Sequence, residues 1–252
     1  AGDRQPLLLA AGQGRGQGVH AVLQSHPGQQ FGDVGGAGGR TAPADDVPAL
    51  FDDYLGVIRA LNPDGQLRYY PGSPELARQL SREQDHLHCN EKHPEDGKLL
   101  KENMHFDRRV AVHLGEGWFV PRALMPTREK RAVLLIDPPF EKADELERCV
   151  KALDEAIGRM RQAIVAIWYP IKDQRQLKRF YNQLSSSSAP KLLRVELLVH
   201  PADDASRLSG SGQVISNPPW GLEDELRQLL PWLASQLAQS QGSWQLDWLI
   251  AE

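Results

Sequence analysis

Hydrophobic positions change period along this chain, and the changes mark its elements. Across Pro48–Asn62, Leu50, Tyr54, Val57, Ile58 and Leu61 recur at helical spacing, which predicts an amphipathic helix closed by the Asn62-Pro63-Asp64-Gly65 turn. Leu67–Tyr70 is short and extended. Ser73 then reads as an N-cap with Pro74 at the first helical position of the next helix. Strands follow at His86–Asn90, closed by Glu91, and at Arg109–Leu114, ending in Gly115-Glu116-Gly117, with a helix over Pro94–Asn103 between them. Val120–Leu124 reads as a short helix. Val133–Ile136 is a continuous apolar run, the pattern of a strand buried on both faces of a parallel sheet.

Beyond it come a helix over Lys142–Arg161, a strand over Ala163–Trp168 stopped by Tyr169-Pro170, and a helix over Asp173–Leu184. Strands at Leu192–His200 and Gly212–Ser216 suit a β-hairpin with a long loop. A helix over Leu222–Leu237 and a strand over Trp244–Ile250 complete the chain. Strands alternating with helices predict an α/β fold with a doubly wound, mostly parallel sheet.

The chemistry gathers where strands stop. Prolines lack the amide a ladder needs, so Pro138-Pro139 halts the fourth strand and leaves Asp137 at the carboxyl edge, where open α/β sheets bind ligands. Asp137 and the Pro138 carbonyl suit the two hydrogens of an exocyclic amine, and Phe140 suits stacking on a planar base. Two further strands end in acids, Glu91 and Glu116. In a dinucleotide-type site, an acid after the second strand takes the ribose hydroxyls; this fits Glu91, with Glu116 beside the adenine of the same ligand. Asn217-Pro218-Pro219-Trp220 resembles the first Pro-Pro site, and reads as structural or as pocket wall because it belongs to the hairpin. The basic groups Lys172, Arg175, Lys178, Arg179 and Arg128, Lys130, Arg131 are either solvated faces or phosphate contacts; the second reading requires both to flank the Asp137 edge.

Composition narrows this little. Across 252 residues, Lys plus Arg is 29 against 33 for Asp plus Glu, so a nucleic-acid surface has to be local. Cys89 and Cys149, the only cysteines, read as buried thiols. No apolar run suits a membrane span, and a cytoplasmic monomer is the expectation. Residues 1–47 are rich in Gly and Gln. Within them, Phe31–Arg40 (FGDVGGAGGR) is open between a flexible loop and the first strand-to-helix turn of a nucleotide-type fold.

The stretch Gly65–Pro94, GQLRYYPGSPELARQLSREQDHLHCNEKHP, resembles the bacterial 23S rRNA adenine-N(6) methyltransferases of the RlmJ family. LLIDPPFE, AIWYP and SGQVISNPPW recur in the family's order. The resemblance covers about Pro48–Glu252. It implies one Rossmann-like class I methyltransferase domain over 1–252, with a divergent segment at 1–40 and a small helical insertion near 41–67. It implies S-adenosylmethionine as methyl donor, no metal, and 23S rRNA as partner. Matched to the family's motifs, Ser73, Glu91, Glu116, Gly117 and Asp137 would contact the donor, and Asp137 would be the catalytic acid. Pro138 and Phe140 would hold the target base. The opening departs from the family: its loop histidine falls on Gly35, and its Lys-His pair has no counterpart. A DNA adenine methyltransferase and a catalytically impaired RNA-binding descendant stay open as alternatives.

Overall fold

The computed structural model describes residues 20–24 and 48–251. Its frame is one eight-stranded sheet with the order β3-β2-β1-β4-β5-β7-β6-β8. The strands are β1 (His20–Gln24), β2 (His86–Glu91), β3 (Val110–Leu114), β4 (Ala132–Ile136), β5 (Ile164–Ile171), β6 (Leu192–Leu198), β7 (Gly210–Ser216) and β8 (Ser243–Ile250). The first five pair in parallel, and β7, β6 and β8 join antiparallel. The expected α/β architecture, doubly wound with a carboxyl-terminal antiparallel hairpin, is what the chain adopts.

One difference lies in the first strand. It is His20–Gln24, within a segment whose sequence suggested only a Gly-rich stretch, and it occupies the middle of the sheet between β2 and β4. Phe31–Arg40 lies outside the described residues. A second difference concerns Pro170, which continues β5 instead of ending it. β4 pairs with β5 only as far as Ile167, so past that point β5 has a free edge where a missing amide breaks no bond to β4.

The helices are α1 (Asp52–Leu61), α2 (Ser73–Leu80), α3 (Pro94–Met104), α4 (Val120–Leu124), α5 (Glu145–Arg159), α6 (Gln174–Ser185) and α7 (Leu222–Leu237). α1 falls within the expected insertion. Gly72, not Ser73, is the N-cap of α2; Ser73 is already helical and Pro74 occupies the second turn position. Among the described residues no helix is long and apolar enough to cross a membrane.

Strand β5 shows how the sheet acquires two packed faces. Val165, Ile167, Tyr169 and Ile171 are buried under α5 and α6, with Leu153, Ile157, Leu177 and Phe180. The alternate residues Ile164 and Ala166 pack against a second cluster, built by Leu222, Leu226 and Leu230 of α7 with Leu193, Ile215 and Leu246. Inside the first layer, the Tyr169 hydroxyl donates to Glu196 Oε1 at 2.8 Å, and Tyr181 donates to the same oxygen. A Cβ at Gly212 would stand 2.2 Å from the Tyr169 ring, so glycine leaves room for this tyrosine. Cys89 and Cys149 are free and buried, as expected, and burial pushes the Cys89 thiol up to about 12.

Candidate active site

The order of strands reverses direction at β1, whose neighbours β2 and β4 lie on opposite sides. Such a switch point opens a crevice at the carboxyl edge. Register fixes which side chains face it. Gln24 pairs with Asn90, and Leu23 with Leu135. Glu91 and Asp137 therefore each stand one residue beyond the level of Gln24, on its two sides. On the far side of β2, the Gly115 amide donates to the Glu91 carbonyl at 2.9 Å, bringing the Glu116 loop to the same edge.

These acids line one open cleft together with Gly117 and Pro138. Glu91 is only 1% exposed, and its Oε1 accepts from the His93 amide at 2.8 Å. Glu116 is exposed at the rim and pairs with Lys92 at 2.8 Å; that contact raises the ammonium pKa. Asp137 is half-buried and Pro138 buried, because the Pro-Pro turn runs straight off the core strand β4. Two sequence-named residues are placed elsewhere. Phe140 lines the neighbouring groove, with its ring 5.8 Å from Trp168 and a backbone φ of 54°. An aromatic residue in that left-handed region is strained, and the rigid prolines before it help impose the turn. Ser73 lines neither cavity. It opens α2, the helix that leads into β2.

Pattern reading missed Glu145 and Arg148 in this cleft. Glu145, 4% exposed, opens α5 and accepts from the Lys142 amide through Oε2 at 3.1 Å, fastening the segment after Phe140 to the helix. Arg148 donates to Asp144 Oδ2 at 2.7 Å, which lowers the Asp144 pKa, and lies 5.8 Å from the ring centre of Trp118. It thereby ties α5 to the β3–α4 loop across the cleft. A carboxylate at the first turn of a helix was the available signal for Glu145. The cleft wall holds four carboxylates, Glu91, Glu116, Asp137 and Glu145, against the cations Lys92, Lys142 and Arg148.

The other Pro-Pro motif is remote. β7 runs antiparallel to β5, with Ser216 opposite Val165, so Asn217 follows β7 at the amino edge of the parallel strands. Its side-chain amide donates to the carbonyls of Arg161 and Ala163, each at 2.8 Å, and Trp220 is fully exposed. The structural half of its expectation holds; the pocket-wall half does not. Arg128, Lys130 and Arg131 immediately precede β4 and share that amino edge, so the two basic groups do not both flank Asp137.

The family described as ribosomal RNA large subunit methyltransferase D, RlmJ, matches residues 11–250. The chain belongs to this family. It is 38% identical over 209 residues to ribosomal RNA large subunit methyltransferase J of Escherichia coli, covering 82% of this chain and 75% of that protein. Against the protein of the same name from Haemophilus influenzae it is 36% identical over 232 residues, 91% of this chain and 83% of the other. A crystal structure of a Legionella pneumophila protein superposes with a TM-score of 0.81 at 26% identity, covering 92% and 88% of the two chains. The fold is thus a class I methyltransferase, and the chain is a methyltransferase by family.

Proposed function

We propose that this RlmJ-family chain transfers the methyl group of S-adenosylmethionine to the exocyclic amine of an adenine in 23S rRNA. The observation that carries this reading is the cleft itself: Glu91 and Glu116 share one wall of it with Asp137-Pro138 at the switch point. The names of the relatives point to ribosomal RNA of the large subunit as the substrate.

The residues present fit the donor. A buried carboxylate at the end of β2 suits two ribose hydroxyls, because its oxygens only accept hydrogen bonds. Acids outnumber cations around the cleft, which favours a positively charged sulfonium. When bound, S-adenosylmethionine supplies an electrophilic methyl group. Glu91 and Glu116 orient the donor from the β2 and β3 ends, while Asp137 and Pro138 address the nucleophile from the β4 end.

Paired adenine has its amine inside the stack, so the base has to turn out to reach Asp137. There the Asp137 carboxylate and the Pro138 carbonyl accept the amine's hydrogens, and Phe140 would reach the base from the adjoining groove. Acceptors aimed at both hydrogens favour a pyramidal nitrogen whose lone pair points at the methyl carbon instead of into the ring. Asp137 orients and polarises the amine, and would take up its proton as the N–C bond forms and the methyl's bond to sulfur breaks, the donor leaving as a neutral thioether.

Incubating the purified chain with deproteinised 23S rRNA and labelled S-adenosylmethionine, then digesting the RNA, tests the reading. Label recovered as N6-methyladenosine supports it. Label recovered on another base, or incorporated into duplex DNA but not rRNA, overturns it.

A further inference from the structure

Beside the donor cleft lies a second groove, lined by Phe140. Phe140, Leu146 and Leu177 give it an apolar floor. Lys142 stands on one lip and Lys172 with Gln176 on the other. Lys142 also lines the donor cleft, so the two spaces adjoin at the DPPF turn.

The groove opens onto α6, whose charges differ from those of its neighbours. Basic residues on α5 and α7 are matched by acids one turn away: Lys151 with Glu147, Arg159 with Glu155, and Arg227 with Glu223. On α6, Leu177, Phe180 and Leu184 face the core, while Arg175, Lys178 and Arg179, with Lys172 in the turn before the helix, are exposed and form no ion pair among the described residues. The single acid there, Asp173, is turned back to cap the helix and accepts from the Arg175 amide at 2.8 Å. Glu141, exposed on the first lip, is the groove's other carboxylate. A chain of net charge −4 thus keeps an unneutralised basic stripe that begins beside its candidate catalytic turn.

We propose that this groove and the exposed face of α6 hold the sugar-phosphate backbone of the RNA strand next to the target adenine. Bases are accommodated over the apolar floor, and phosphates meet Lys142, Lys172, Arg175 and Lys178 as the strand leaves the catalytic edge. The proposal rests on the RNA-methylating reading above and adds the path the substrate takes.

The test compares Lys172→Glu/Arg175→Glu/Lys178→Glu with the neutral Lys172→Gln/Arg175→Gln/Lys178→Gln and with Arg128→Glu/Lys130→Glu at the amino edge. Binding of a fluorescein-labelled, adenine-containing RNA hairpin is followed by anisotropy over a salt series, and S-adenosylmethionine binding by calorimetry. Charge reversal is expected to weaken RNA binding by about tenfold or more, and to flatten the log–log salt slope by about 0.7 for each lost single-strand phosphate contact. The glutamine variant falls in between, the amino-edge pair binds as the unsubstituted chain, and donor binding stays unchanged. Unaltered RNA affinity and slope in the reversal variant overturn the proposal, as does equal weakening in the amino-edge pair. If RNA binds along α6 but is never methylated, the functional reading fails while this surface stands. If rRNA is methylated with unchanged KM after reversal, the surface fails and the reading stands.

Discussion

Asp137 and Asn217 each precede a Pro-Pro pair, yet they stand at opposite edges of the same sheet. Asp137 follows the parallel strand β4 into the switch-point cleft, whereas Asn217 follows the antiparallel strand β7 back to where β5 begins. The same device, a strand stopped by prolines, presents a carboxylate to a cleft in one place and ties backbone together in the other.

Asn217 therefore contributes to stability and not to the cleft. Its φ of 51° suits asparagine better than alanine, and its amide serves two backbone carbonyls. Asn217→Ala is expected to cost about 1–3 kcal/mol in denaturant unfolding. Calorimetric affinity for S-adenosylmethionine should be unchanged.

Glu145 fastens the segment after the Asp137-Pro138-Pro139-Phe140 turn through the Lys142 amide. In Glu145→Ala that amide loses its partner, at a cost of about 1 kcal/mol, because Lys142 is exposed and water replaces the carboxylate. The turn after Phe140 loosens, so kcat for methyl transfer should fall more than KM for the donor rises. Steady-state kinetics against both substrates separate the effects, and Glu145→Gln should recover part of the loss.

An acid-sensitive clasp joins α2 to β3. Arg109 bonds Asp107 and also donates to the carbonyls of Arg78, Ser81 and Arg82. The hydrogen bond from Arg109 holds the Asp107 carboxyl down at about 2. Because the folded-state pKa is depressed, the clasp stabilises fully above the unfolded value near 4 and weakens as pH falls toward 2. Melting curves of the unsubstituted chain and Asp107→Asn should differ most at neutral pH and converge across that acid range.

The elements from β2 to β8 were legible because each carries its own period. The AVLLI run is apolar throughout and is buried in the sheet, and β5 alternates as a strand with two packed faces should. Strand β1 was not legible. Its five residues hold only Ala21, Val22 and Leu23 as an apolar run, and its identity comes from pairing with β2 and β4 on both sides. Pro170 was misjudged for a related reason, since only topology shows that β4 stops short of it. Asp137, Glu91 and Glu116 could be read as strand-end acids and do meet in one cleft. Glu145 and Arg148 could not, because they reach it from a helix whose sequence looks like any amphipathic, salt-bridged surface helix.

Everything proposed about catalysis passes through the carboxylate of Asp137. Asp137→Asn keeps the size of the side chain but replaces one acceptor oxygen with a donor, so it can no longer receive the amine's proton. The most direct measurement is single-turnover methylation of 23S rRNA by this variant, with S-adenosylmethionine and RNA binding measured alongside. A rate reduced by about 100-fold or more with both affinities retained is the expected result. Methylation at the unsubstituted rate would contradict the account.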